Sequence, residues 1–317
     1  MEHLFIVDPL ASFNVEGDTT MAFMREAAAR GQVVWTCELP QLFAGPGGKP
    51  RAHATELELL ADSDHGPWYL ERTQRLRALS EFDVVWMRKD PPYDLNYFFA
   101  THLISLATDD TLVVNDPRGL REVTEKLFVL RFPELTPETL VSQDMAELEA
   151  FRDKLGGEMI IKPVDGCGGE GVFHLAQGDR NTKALLEVAT QHGTRPQIAQ
   201  QYIPEVREGD KRIILIEGEP VGAVLRVPSG GESRANFHVG GTGARTTLSE
   251  RDLEICRALR PALLEHGILF SGIDVIGRYL TEVNVTSPTG VREINQLDGV
   301  RLERQVLDAV EKRYQQR

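Results

Sequence analysis

The sequence predicts an α/β protein built in several parts, and three features carry that expectation. The chain opens strand, helix, strand; a glycine-rich loop lies between two strands near its middle; and strands dominate its second half. HLFIVD (3–8) is a short apolar run ending in Asp-Pro, TTMAFMREAAARG (19–31) is a helix with Thr at its start and Gly at its stop, and VVWTCEL (33–39) is a second strand. Such an opening implies a parallel sheet. GPGGKP (45–50) is a loop, and the polar run over 51–80 reads as an irregular hairpin or helix. FDVVWMRKDPPYD (82–94) ends a buried strand in Arg-Lys-Asp-Pro-Pro, and LVVND (112–116) adds another. Ligands collect at the carboxyl ends of strands in open α/β sheets, which makes Asp8, Arg88 and Lys89 candidate contacts, with Asn14 and Asp18 nearby.

A boundary is expected near residue 120, followed by a helical segment, LREVTEKLFVLRF (120–132). PELTPETLVS (133–142) reads as turn then strand, and DMAELEAFRDKLGG (144–157) as a helix with Asp at its N-cap and Gly-Gly at its end. From 198 the strands IAQQYI, DKRIILIEG and EPVGAVLRV precede a glycine-rich polar stretch, a helix over 249–266, the run SGIDVIGRYLTEVNVT and a last helix over 301–315.

Composition narrows the function classes. The 317 residues hold 41% hydrophobic and 26% charged side chains, with no apolar run near the ~20 residues a membrane span needs. MEHLFIVDPLASF has no basic segment followed by a long apolar one, so a cytoplasmic location is expected. With 35 basic against 48 acidic residues the net charge is −13, and no Lys/Arg block follows a nucleic-acid backbone. Cys37, Cys167 and Cys256 are too few and scattered for a disulfide framework, and His102 and His238 have no metal partner at useful spacing.

The stretch KPVDGCGGEG (162–171) lacks the order of a P-loop, because its lysine precedes the glycines, and VFHLAQ after it reads as a strand. A strand, glycine loop, strand arrangement lays backbone N–H groups against anionic oxygens while Lys162 adds charge. Read alone, it fits a phosphate cradle or a plain hairpin tip equally. Lys126, with Leu127 and Phe128 beside it, is uninformative by itself. GIDVIGRYLTEVNVT is more specific. Alternation places Glu282 and Asn284 on one face, and pairing across a three-residue loop, Gly277-Arg278-Tyr279, sets Asp274 opposite Glu282. Opposed carboxylates repel unless a cation lies between them, and hard oxygen ligands suit Mg²⁺; the other reading is a carboxylate turned to solvent or paired with Arg278 or Arg292.

Taken together, these pieces resemble the ATP-grasp enzymes. WMRKDPPYD, VTEKLF, LTPETLV, IIKPVDGCGG, EGDKRIILIEGEPV, VPSGGESRANFHVGGTG and LTEVNVTSPTG are similar to the bacterial glutathione synthetase family over essentially the whole chain. The resemblance implies two α+β subdomains that clamp ATP (123–200 and 201–317) behind an N-terminal Rossmann-like parallel-sheet domain (1–122). It implies that Lys126 and Lys162 hold the nucleotide phosphates, that Gly166, Gly168, Gly169 and Gly171 close over them, and that Gln200, Gln201, Tyr202 and Ile203 receive adenine. Asp210 and Arg212 would contact the nucleotide and acyl phosphate, Arg226 and Arg234 the substrate carboxylate and transferring phosphate, and Asp274, Glu282 and Asn284 the Mg²⁺ or Mn²⁺.

SGGESRANFHVGG (229–241) has the composition of a lid that excludes water from a hydrolysable acyl phosphate. The family commonly has Arg where Thr242 stands, leaving Arg245 as a possible substitute. The implied reaction joins γ-glutamylcysteine to glycine with ATP, in a homo-tetramer. It needs no side-chain nucleophile, so Cys167 is read as a small residue in a loop with little room. The alternatives are a ligase of the same fold for another acid and amine, and a non-catalytic ATP-binding module. The charged lid argues against the second.

Overall fold

The computed structural model describes residues 1–60, 67–89, 91–166, 168–228 and 242–317. The opening unit forms as expected: β1 (Glu2–Ile6) and β2 (Val33–Cys37) run parallel and α1 (Thr19–Ala29) joins them. The helix starts at Asp18, whose carboxylate accepts from the backbone N–H groups of Thr20 (2.6 Å) and Met21 (3.1 Å). The same sheet takes in β3 (Leu42–Ala44), β4 (Pro50–Leu59), β5 (Tyr69–Ala78), β6 (Val84–Met87) and β7 (Leu112–Val114). β2, β1, β6 and β7 are parallel neighbours in that order, and β4 adds antiparallel beside β2.

The polar run over 51–80 is a regular hairpin of two ten-residue strands, β4 and β5. Pro50, Ala52 and Ala54 are buried while Arg51 and His53 are exposed, the two-residue alternation of a half-covered sheet. α2 (Leu95–Ser105), capped by Asp94, is not expected from the sequence. Its apolar residues lie on both faces, with Tyr97 and Ile104 buried and Leu95 and Phe99 exposed, so no helical period stands out. The helix expected over 120–132 is broken. α3 (Pro117–Glu122) stops, residues 125–127 turn, and Phe128–Arg131 form a short 3₁₀ segment. The Glu125 carbonyl leaves the helical ladder to accept from Val283 N–H (2.9 Å).

The second sheet is antiparallel throughout, in the order β10 (Phe173–Leu175), β9 (Met159–Pro163), β11 (Gln197–Gln200), β8 (Thr139–Ser142). α4 (Met145–Lys154) and α5 (Thr182–Ala189) pack on it. Leu148, Met159, Ile161, Leu175, Leu186 and Ala199 form a small core belonging to this lobe alone.

The third sheet, also antiparallel, runs β14 (Thr242–Arg245), β13 (Glu219–Val227), β12 (Asp210–Ile216), β15 (Phe270–Ile276), β16 (Tyr279–Asn284). With α6 (Glu250–Glu265), α7 (Val291–Asp298) and α8 (Leu302–Gln315) it shares its two core clusters with the first sheet. α8 lies on α1, tied by Arg30 to Glu311 (3.0 Å) and Asp308 (2.8 Å). Buried Asn115, just past β7, completes the seam. Its amide donates to the carbonyls of Phe270 (2.7 Å) and Val285 (2.8 Å), and its oxygen accepts from Leu269 (2.8 Å) and Phe270 (2.9 Å) N–H.

Candidate active site

A cavity of about 780 Å³ lies between the second and third sheets and extends to the carboxyl ends of β1 and β6. Its third-sheet wall is a band of charge set by strand register. Asp210 pairs across with Arg226, Arg212 with Asp274, Asp274 with Glu282, and Gly272 with Asn284, so these side chains emerge on one face. The opposition of Asp274 and Glu282 arises differently from the expected count. The turn holds two residues, Gly277 and Arg278, and a bulge between Asp274 and Val275 restores the register that a three-residue loop would have given.

Arg212 grips Asp274 through Nε and Nη2, and its Nη1 donates to the Thr289 carbonyl (3.1 Å). Arg226 reaches Asp274 as well (3.0 Å) and Asp210. Burial opposes the charge on Asp274, but the two guanidinium groups hold its carboxyl below the usual range. Burial pushes the Asp210 carboxyl up to about 7, since Arg226, shared with Asp274, offsets only part of the desolvation. The cations that separate the opposed carboxylates are therefore side chains of the protein itself.

Glu282 points the other way, at two lysines. Lys126 Nζ is 3.6 Å and Lys162 Nζ 3.7 Å from its carboxylate. Lys126 is placed by the turn that β16 pins through Val283, and it also pairs with Glu125 and donates to the Gly166 carbonyl. Burial disfavours its charge, yet Glu282 and Glu125 outweigh that and raise its pKa. Lys162, on β9, is lowered, burial outweighing Glu282. Two buried ammonium groups converging on one carboxylate make a strong anion site.

Lys162 leads into the glycine hairpin. A Cβ on Gly166 would lie 2.5 Å from Pro163 Cγ, and Gly168 and Gly169 adopt φ of 62° and 80°. Gly166, Gly168 and Gly169 line the cavity; Gly171 does not, and packs instead where a Cβ would press on Pro163 at 3.2 Å. Gln200, Gln201, Tyr202 and Ile203 line the lobe side, with Gln200 bonded to Thr139 (2.9 Å) and Gln201 N–H to the Glu138 carbonyl (2.9 Å). Sequence reasoning missed His174, which stacks on Tyr202 at 4.1 Å and is held by Glu158 (2.8 Å). Only the pairing of β10 with β9 brings it there.

At the far end, Asp8, Asn14, Asp18 and Arg88 all line the cavity. Lys89 is not among the lining residues and pairs with Asp8 (2.8 Å). Arg88, buried against Phe23 and Phe270, donates to Thr20 Oγ1 (3.1 Å) and to the carbonyls of Thr286 (3.5 Å) and Pro288 (3.3 Å). Arg234, Cys167 and His238, and with them the expected lid over 229–241, lie outside the described residues. Arg245 does not reach the cavity. It bonds Asp298 (2.9 Å) and the Leu297 carbonyl at the end of α7.

A divalent cation fits this donor set in one way. Among the described residues no group of three His, Cys, Asp or Glu forms a closed cage. Glu282 and Asn284 face the cavity with oxygen donors, and Asp274 can join them only by releasing an arginine. That suits an ion of the Mg²⁺ type, which keeps waters and borrows phosphate oxygens.

Two antiparallel sheets facing each other across lysines, a glycine hairpin and an acidic strand pair define an ATP-grasp ligase. Solved structures agree on the fold. The D-cycloserine synthetase DcsG matches with a TM-score of 0.64 at 15% identity, over 98% of this chain and 99% of that one. The ATP-grasp ligase PsnB, solved with precursor peptide PsnA2 and AMPPNP, matches with a TM-score of 0.60 at 16% identity, over 98% of each chain.

Sequence comparison narrows the class. The family model for the prokaryotic glutathione synthetase N-terminal domain matches residues 1–121, and that for the ATP-grasp domain matches residues 125–299. The glutathione synthetase of Gloeobacter violaceus is 47% identical over 97% of this chain and 96% of its own length, and that of Ralstonia nicotianae is 46% identical over 98% and 96%. The chain belongs to the prokaryotic glutathione synthetase family and is an ATP-dependent ligase.

Proposed function

We propose that the protein joins γ-L-glutamyl-L-cysteine to glycine, converting ATP to ADP and phosphate. Family membership supports the substrate pair, and the observation that supports the chemistry is the convergence of Lys126 and Lys162 on Glu282 between two sheets. In this reading the lysines exchange Glu282 for the nucleotide phosphates, Gly166, Gly168 and Gly169 turn backbone N–H groups toward them, and the Gln200–Ile203 segment with Tyr202 takes the adenine.

The cysteinyl carboxylate of the dipeptide attacks the γ-phosphorus; a P–O bond forms there and the bond to ADP breaks, leaving an acyl phosphate. Glycine's ammonium group gives up one proton to become the free amine, which attacks the acyl carbon; phosphate departs with the electron pair and takes up the second proton that the nitrogen loses. Arg226 and Arg212 stand where negative charge gathers on the transferring group, and Arg234 is expected to add to them. Asp210 positions Arg226. Glu282 and Asn284, with Asp274 as third donor, would hold Mg²⁺ or Mn²⁺, which supplies charge neutralisation on the phosphoryl oxygens when bound. In this reading the chemistry needs no side-chain nucleophile, and among the described residues burial pushes the Cys37 and Cys256 thiols up to about 12.

The family resemblance also supports a homo-tetramer in the cytoplasm. No helix among the described residues is long and apolar enough to cross a membrane. The test of the reaction is ADP release with γ-glutamylcysteine plus glycine, set against other acid and amine pairs. This pair is expected to give by far the fastest release, with glutathione identified by mass; no release with it contradicts the proposal.

A further inference from the structure

Glu293 has no part in the chemistry described so far, yet it lines the cavity from the first turn of α7. Its Oε2 is shut off from solvent and accepts no hydrogen bond from any described group. Among the described residues no Lys or Arg lies within ion-pair distance of it; Arg212 and Arg292 act on it only from further away. A buried carboxylate oxygen without a donor is costly, and a cavity wall is where such a cost is repaid by a ligand.

The surroundings fix both its position and what it can receive. Arg88 holds the carbonyls of Thr286 and Pro288, Arg212 holds that of Thr289, and Arg292 bonds the Glu16 carbonyl (2.8 Å), so the approach to α7 and its first turn are anchored on both sides. Gly290 brings the start of α7 against Arg212, where a Cβ would lie 3.3 Å from Cγ. Glu293 therefore stands one arginine away from Asp274 and the metal-binding face. Oε2 is covered, while the rest of this half-buried side chain lines the cavity, so a ligand meets that oxygen once the side chain turns inward; the oxygen then calls for a cationic donor with more than one hydrogen, which describes a primary ammonium group.

We propose that Glu293 binds the ammonium group of the incoming amine substrate and sets its nitrogen beside the acyl carbon, where the group gives one proton to a phosphate oxygen of the acyl phosphate before its lone pair attacks. This rests on the ligase reading above. The dipeptide's own ammonium group is the weaker candidate, because it lies at the far end of an extended molecule whose reacting carboxylate must meet Arg212 and Arg226. The attacking nitrogen must instead come within about 3–3.5 Å of the reacting carbon. Burial raises the Glu293 carboxyl pKa, in keeping with a group that gains from a cation.

The test compares wild type with Glu293→Gln and Glu293→Asp at saturating ATP and γ-glutamylcysteine. Glu293→Gln is expected to raise KM for glycine about 10- to 100-fold, the loss of one hydrogen bond to a charged group. KM for ATP and for the dipeptide stay within about threefold, and ¹⁸O positional exchange in ATP with the dipeptide alone persists. Glu293→Asp recovers part of the glycine affinity. An unchanged glycine KM, or loss of the exchange reaction in step with turnover, overturns this assignment alone, whereas absence of wild-type turnover with this pair overturns the reading beneath it.

Discussion

The lobe of β8–β11, α4 and α5 packs on six buried residues of its own, whereas the opposite wall of the cavity is continuous with the N-terminal sheet. The first brings Lys162, the glycine hairpin and the Gln200–Ile203 segment; the second brings the charged strands and α7. Contact across the cavity is polar: Lys162 reaches over to Glu282, and Lys126, from the connecting turn, touches both Gly166 and Glu282. A site built this way has one wall that can move as a unit and one that holds the reacting groups in register. ATP, once bound, joins them.

Glu282→Gln strikes where the two walls meet and has the largest expected effect. It removes the carboxylate shared by both lysines and the proposed metal-binding face, so kcat should fall on the order of 10²-fold or more while nucleotide still binds. Steady-state kinetics beside calorimetric ADP titration checks it, and unchanged turnover would remove Glu282 from the site.

Asn115→Leu tests whether the body is truly one piece. It strips four hydrogen bonds from the seam and leaves backbone groups of Leu269, Phe270 and Val285 without that partner, a loss of roughly 3–5 kcal/mol. Urea unfolding followed by tryptophan fluorescence should show it, with a loss below about 1 kcal/mol counting against a shared core.

A smaller effect separates the two regions by pH. His3, buried in β1, donates from Nε2 to Gln32 (2.7 Å) and accepts from Trp86 Nε1 at Nδ1 (3.0 Å), and burial pushes its pKa down to about 4. The unfolded chain binds that proton more tightly, with a pKa near 6.5. The stability His3 confers is therefore complete above about 6.5 and lost as pH falls toward 4, about 3 kcal/mol in all. Unfolding midpoints between pH 7 and pH 4.5 should fall, and His3→Gln should flatten that part of the profile.

The two regions also differ in how far the sequence reveals them. On the charged strands two-residue alternation, which is local, by itself puts Asp210 with Arg212 and Glu282 with Asn284 on shared faces, whereas Arg226 enters only through the family resemblance. The facing of Asp274 and Glu282 is legible in outcome, not in cause, because a bulge compensates a shorter turn. What stays hidden depends on contacts distant in sequence. Lys126 reaches Glu282 because the Glu125 carbonyl is captured by β16, which also cuts the expected helix, and His174 meets Tyr202 only through sheet pairing. Glu293 gives no signal, since α7 is a short helix between two left-handed glycines and its open oxygen is a property of packing.

The most direct test of this two-walled account is amide hydrogen exchange with and without Mg²⁺ and ADP. Without nucleotide, amides of β9 and β11 should exchange through a common opening faster than those of β12 and β15. Nucleotide should slow the lobe strongly while changing β12 and β15 little. Equal protection of both sheets in the free enzyme, with no selective gain in the lobe, would contradict it.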